Sequence, residues 1–256
     1  MLAGMYGTFD DLVTDADAAD VSGWDFSWLD GRATEQRPSW GYQRQLGERL
    51  AGAEAALDIQ TGGGEVLAGA TSHFPRTMVA TESWPANLAI ATARLHPLGV
   101  VVVSDPDEPP LPFADAAFDL VSSRHPASVW WEEIARMLRP RGMYFAQHVG
   151  TRSNAELYEF FLGPQPGPDG REPEREAADA VAAGLEVRDL RTERLRVEFR
   201  DVGAVVYFLR KVIWTVPDFT VARYREKLLE LHRLIETDGP FVAHSSRTFV
   251  EAVKAK

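Results

Sequence analysis

Residues 57–64 read L-D-I-Q-T-G-G-G. An apolar start, an aspartate near its end and three glycines describe a strand that runs into a tight, side-chain-poor turn. Glu82 comes eighteen residues after Gly64, just past a second apolar run at 77–81. An open parallel sheet holds a nucleoside in this way: small residues let backbone approach the ligand, and an acid accepts hydrogen bonds from ribose hydroxyls. The run therefore commits the chain to strand–turn–helix units and points to a nucleoside-containing cofactor.

From residue 55 onward strand and helix signals alternate. Strands are predicted at 56–60, 77–81, 100–104, 118–122 and 143–148, and helices at 64–70, 84–95, 129–138 and 154–162. Residues 100–103 are an unbroken valine run, the pattern of a strand covered on both faces. The repetition predicts an α/β fold with a parallel sheet and right-handed crossovers. Residues 163–173 (G-P-Q-P-G-P-D-G-R-E-P) are a Pro/Gly loop, and 174–183 reads as a helix. Leu195, Val197 and Phe199 alternate with Arg194, Arg196, Glu198 and Arg200, the period of a half-buried strand. Asp201 is placed to cap a helix over 202–213, and a second helix over about 221–236 stops before Gly239 and Pro240. Residues 241–243 and 248–253 read as a last strand, and no internal repeat is present.

Ahead of the alternation, residues 1–22 are acidic and alanine-rich, a frayed start or loose helix. Trp24, Phe26, Trp28, Trp40 and Tyr42 follow among charged residues. Ser39 is placed to cap a helix over 40–50 whose Tyr42, Leu46, Arg49 and Leu50 share a face.

Composition removes several classes of chemistry. The chain has no Cys, so disulfides, thiolate nucleophiles and cysteine metal sites are excluded. None of its six histidines has a partner at a metal-ligand spacing, so no metal is expected. Gly-x-Ser-x-Gly and Gly-x4-Gly-Lys are both missing, against a hydrolase or a P-loop NTPase. No apolar run reaches membrane-spanning length, and residues 1–30 hold seven acids and no Lys or Arg, the opposite of a targeting signal; a cytoplasmic protein without a membrane partner is expected. A net charge of −11 argues against a phosphate-backbone partner, although residues 186–233 lean basic with eleven Lys/Arg against eight Asp/Glu.

Three further segments carry a resemblance. Residues 102–113 read V-V-S-D-P-D-E-P-P-L-P-F, residues 115–121 D-A-A-F-D-L-V, and residues 137–142 M-L-R-P-R-G. Taken in order with the glycine turn and Glu82, they resemble the class I S-adenosylmethionine-dependent methyltransferases over residues 55–148. The resemblance implies a Rossmann-like, seven-stranded, mostly parallel sheet flanked by helices, with the last strand antiparallel. It adds an N-terminal helical segment and a helical insertion before the last strand. It divides the chain into a cap segment, 1–50, and a methyltransferase domain, 51–256, with a cofactor core at 55–150 and acceptor-side helices at about 202–236.

The cofactor so implied is S-adenosyl-L-methionine, with S-adenosyl-L-homocysteine as product. Glu82 would take the ribose hydroxyls, and Ser83 or Trp84 would pack on the adenine, Trp84 having a helix-start core role as its plainer alternative. Asp58 would order the turn or meet the ammonium group; an Asp that only caps loop amides is the alternative. Thr61, Gly62 and Gly64 match the family turn, whereas Gln60 stands where the family opens with glycine. Asp107, with Glu108 beside it, would face the adenine amino group, and Asp105 competes for that place. Ser123 and His125 follow the fourth strand, where family members contact methionine or acceptor, and His125 is the candidate proton acceptor. Arg32, Arg37 and Tyr42 are candidates for the cofactor carboxylate; His148, Trp214 and His244 are candidates for the acceptor side, and each has a core role as its alternative.

The expected function is in-line methyl transfer to a small-molecule acceptor, by a chain that could act as a homodimer. The alternatives are an rRNA base methyltransferase, whose footprint would be a basic patch at Arg188–Arg200, and a nucleoside-binding protein without turnover. A dinucleotide oxidoreductase is disfavoured by the incomplete G-x-G-x-x-G.

Overall fold

The computed structural model describes residues 7–166 and 171–256. In chain order its elements are α1 (Phe9–Ala18), β1 (Ala33–Glu35), α2 (Tyr42–Leu50), β2 (Ala55–Asp58), α3 (Glu65–Ala68), β3 (Thr77–Glu82), α4 (Pro85–Leu95), β4 (Val101–Ser104), β5 (Phe118–Arg124), α5 (Trp131–Met137), β6 (Leu138–Val149), α6 (Ala155–Leu162), α7 (Pro173–Ala182), β7 (Leu185–Phe199), α8 (Val202–Lys211), α9 (Val221–Asp238) and β8 (Phe241–Lys254). The strand order is β1-β7-β8-β6-β5-β2-β3-β4. β4, β3, β2, β5 and β6 run parallel, and β8 is antiparallel to β6.

The expected α/β sheet with an antiparallel last strand is therefore present, with eight strands in place of seven. The extra strand is β1, whose Ala33 pairs with Phe199 and Glu35 with Val197. At three residues it is too short to carry a period-two signal. The two pieces expected at 241–243 and 248–253 are one strand, β8, and the strand expected at 195–199 begins ten residues earlier, at Leu185. The valine run is a second correction. β4 lies at the margin of the sheet and Val101 is 58% exposed, so β-branched residues marked strand propensity here, not two-sided burial. Ser39 is a third: α2 starts at Tyr42 behind Gly41 in left-handed conformation, and the Ser39 backbone N–H and hydroxyl instead donate to Glu193.

Of the loose N-terminal stretch, residues 9–18 form a capped helix. The Thr8 hydroxyl accepts from the Asp11 N–H while the Asp11 carboxylate accepts from the Thr8 N–H, a reciprocal box that satisfies two amides of the first turn. The first six residues and 167–170, inside the expected Pro/Gly loop, lie outside the described residues.

The chain divides into two compact units. The first comprises Met1–Arg37, Arg152–Pro168 and Arg194–Ser246. Its core joins Leu12, Val13 and Ala16 of α1 to Val202, Val205, Val206 and Leu209 of α8 and Leu228 and Leu231 of α9. Asp201 caps α8 as its position implies, accepting from the Ala204 N–H, and also receives Arg32 at 2.8 Å. The second unit comprises Pro38–Thr151, Asp169–Glu193 and Arg247–Lys256 and contains the glycine turn. Alternating residues of its strands feed two cores: Leu57, Val121 and Tyr144 point to one with Ile134 and Met137, and Ala56, Leu120 and Phe145 to another with Leu46, Leu95 and Phe249.

Candidate functional site

β2 ends at Asp58, and the chain reverses through Gln60, Gly62 and Gly64, with φ values of 55°, 65° and 77°. Gly64 has no alternative. A Cβ there would sit 2.8 Å from Leu95 Cδ1, besides carrying left-handed backbone. The Arg94 guanidinium fastens the turn from α4, donating to the Gly63 carbonyl and to Glu65.

Glu82, at the end of β3, is 6% exposed. One carboxylate oxygen accepts the Gly62 N–H at 2.8 Å and the other the Trp84 N–H at 2.8 Å. Burial pushes its pKa up, and the amides it accepts oppose that. Those two bonds aim the carboxylate, and the Ser83 amide and the Asn87 side chain also turn toward it. Asn87, in the first turn of α4, is 1% exposed, and its Oδ1 finds no donor among the described residues. Sequence reasoning missed Asn87; a poor helix former in the first turn of a helix was its only signal.

Asp58 is buried and accepts the Ser122 hydroxyl at 2.6 Å. Burial raises its pKa to about 6. Asp107 is half-buried and in left-handed backbone; burial raises it to about 6 as well, with Asp105 and Glu82 adding to the rise and Trp130 and Gln60 opposing it. Asp105 is buried and turns inward, accepting the Asp107 N–H at 2.7 Å, which leaves Asp107 as the acid facing outward. Glu108 and Ser83 are exposed, and Trp84 is the N-cap of α4 at 42% exposed, so its core alternative falls away. Thr61 bonds through its N–H to the Thr81 carbonyl.

Ser123 is fully buried, and its hydroxyl donates to the Ile59 carbonyl at 3.1 Å. His125 follows in left-handed backbone with its N–H on the Gln147 carbonyl at 2.7 Å. The Gln147 amide orientation is fixed by Trp40, whose indole can only donate and does so to Oε1 at 2.8 Å. The Gln147 Nε2 therefore donates to His125 Nε2 at 2.8 Å, which puts the imidazole proton on Nδ1. Burial, with Arg124 and Arg247 next, holds this histidine well below its usual range.

Of the remaining candidates, Tyr42 donates its hydroxyl to the Ser123 carbonyl, Arg32 is spent on Asp201 and Asp15, and Arg37 is exposed. His148 is core: its Nδ1 lies 2.7 Å from Glu176 and its Nε2 3.0 Å from the Tyr144 hydroxyl. His244 pairs with Glu156 at 2.9 Å, and Trp214 is 64% exposed. Among the described residues no group of three or more His, Cys, Asp and Glu is arranged to hold a metal ion. No described helix is long and apolar enough to cross a membrane.

Residues 57–146 match the family model of a methyltransferase domain. That match spans about a third of the chain and supports a class I S-adenosylmethionine-dependent methyltransferase. No curated protein matches its sequence. Its fold is shared by a protein of Bacillus halodurans C-125 provisionally assigned as a methyltransferase (19% identity, 84% of this chain and 99% of that one, TM-score 0.59). It is shared by phosphoethanolamine N-methyltransferase 2 of Haemonchus contortus, in complex with phosphomonomethylethanolamine and S-adenosylhomocysteine (19%, 98% and 61%, 0.53). The [4+2]-cyclase SpnF has it too (17%, 86% and 84%, 0.51).

The turn from Asp58 to Gly64, with Glu82 and Asp107, is where the sequence pattern leads one to expect the cofactor. The donor set fits: an aimed, buried carboxylate and the orphaned Asn87 acceptor call for hydroxyl donors, and ribose supplies them.

Proposed function

We propose that this methyltransferase binds S-adenosyl-L-methionine at the β2–α3 turn and methylates a small-molecule acceptor. The observation that carries the reading is the Glu82 carboxylate, buried and aimed by the Gly62 and Trp84 amides. Glu82 holds the ribose diol with Asn87 beside it, Asp107 takes the adenine amino group, and Asp58 orders the turn. When bound, S-adenosylmethionine supplies a methyl on a sulfonium, which passes to an acceptor lone pair in one in-line displacement and leaves S-adenosylhomocysteine. The protein's task is then positioning, worth up to about 7–11 kcal/mol for well-oriented pairs. His125 is neutral near pH 7 and takes a proton at Nε2 only by exchanging Gln147 for the acceptor.

A small acceptor is favoured over RNA because the arginines of β7 are already paired: Arg188 with Glu186, Arg191 with Asp189, Arg194 with Glu156 and Arg196 with Glu198. The basic footprint weighed at Arg188–Arg200 is thereby largely neutralised. The Haemonchus contortus neighbour, holding a small phosphorylated amine, is consistent with this class.

The test is incubation with methyl-labelled donor and a fractionated cell extract. Label in a low-mass product supports the reading; label in RNA overturns the acceptor class, and binding without label overturns turnover. Because a [4+2]-cyclase shares this fold, the assay measures label transfer and not binding alone. In calorimetry Glu82→Ala is expected to weaken S-adenosylmethionine binding by about 1–3 kcal/mol, the cost of a lost buried charged acceptor. An unchanged affinity would remove the ribose assignment.

A further inference from the structure

Gln60 occupies the position where the family turn opens with glycine, and its φ of 55° puts a residue with a side chain in left-handed backbone, at a conformational cost. Its carboxamide makes three bonds to the loop that glycine cannot, and it also reaches Asp107. Oε1 accepts the Ala127 N–H at 2.5 Å and the Ser128 N–H at 3.4 Å, and Nε2 donates to the Ser128 carbonyl at 2.7 Å. The partners lie 67 and 68 residues away, in the loop that joins β5 to α5 and begins with His125. The same loop is tied at its other points. Gln147 holds His125, Trp130 Nε1 donates to the Asp107 carbonyl at 3.1 Å, and Arg171 donates to the Pro126 and Ala127 carbonyls at 2.8 and 2.6 Å. Of these ties only that of Gln60 comes from the glycine turn itself, and it engages the Ala127 and Ser128 N–H groups.

We infer that Gln60 is a positioning residue that latches the 125–130 loop onto the glycine turn, so that its contribution falls on the transfer step and not on the grip on the nucleoside. The inference rests on the methyl-transfer reading of this turn. It also accounts for a side chain at a place where the backbone geometry favours glycine: the bonds to the loop offset the conformational cost.

Hydrogen exchange of the ligand-free protein tests the latch directly, with Gln60→Gly and Gln60→Met compared with wild type. Gln60→Gly removes the side chain while suiting the left-handed backbone, so it is expected to fold. Gln60→Met keeps the length without the bonds and controls for glycine's flexibility. In both, the Ala127 and Ser128 amides are expected to exchange about tenfold faster, the effect of losing about one hydrogen bond's net stabilisation, while β3 amides stay protected as in wild type. S-adenosylhomocysteine affinity should stay within about threefold, and kcat should fall with little change in the KM for S-adenosylmethionine. Unchanged exchange in both variants overturns the latch. A loss of affinity as large as that of Glu82→Ala overturns it too, by making Gln60 a cofactor contact. If wild type itself binds no S-adenosylhomocysteine, the functional reading fails, and the exchange rates decide the latch by themselves.

Discussion

The β2–α3 turn and the β5–α5 loop are built on opposite plans. At the turn a buried acid collects backbone amides, Glu82 accepting Gly62 and Trp84; Arg94 fastens the Gly63 carbonyl, and Gly62 and Gly64 supply left-handed backbone. At the loop, side chains from far along the chain collect backbone groups and one another, among them Gln60, Gln147, Trp40 and Arg171, while the loop's own Trp130 reaches the Asp107 carbonyl. The first plan leaves a buried acceptor beside the acid, the Asn87 Oδ1, without a donor among the described residues. The second spends its polar atoms internally, down to the Nε2 lone pair of His125. A site that must bind is kept unsatisfied, and one that must stay in place is satisfied by its own neighbours.

Substitutions can break this contrast, and the largest effect is expected beneath the loop. His148→Leu would leave the Glu176 carboxylate, 3% exposed, without its partner, and about 3–5 kcal/mol of stability should be lost in urea unfolding. A loss below 1 kcal/mol would mean the network is not under the constraint claimed. Next comes Asp58, on the turn side. Its folded pKa of about 6 lies above the model-peptide 3.8, so the folded state holds the proton more tightly. The stability this contributes is complete below about pH 3.8 and is lost as pH rises through about 6, on the order of 3 kcal/mol. Asp58→Asn should flatten the urea midpoint over that window, with a remaining slope from Asp107, which also stands at about 6. The smallest is Gly64→Ala, at about 1–2 kcal/mol for left-handed backbone, with some addition as Leu95 moves aside. An unchanged midpoint would show that the turn relaxes and that its geometry is not specified by glycine.

What the chain disclosed in advance follows the same division. The strand, the glycines, Glu82 and the Asp201 cap are local patterns in which residue type and spacing carry the physics. Asp107 and Asp105 were separable only by which one turns inward. The Gln60 latch, the orientation of Gln147 and the fate of the His125 lone pair depend on partners dozens of residues away. No periodicity records such pairings. Ser39 failed as a cap for a related reason: its hydroxyl had a better acceptor in Glu193, 154 residues along the chain.

The placement of β4 has a consequence of its own. A border strand carries unsatisfied amides and carbonyls that another polypeptide can copy, and a largely uncovered valine makes the invitation stronger. Four residues is a short template, too brief to seed a lasting intermolecular ladder. Lengthening that border by a few apolar residues would be expected to promote self-association while leaving the β2–α3 turn as it is.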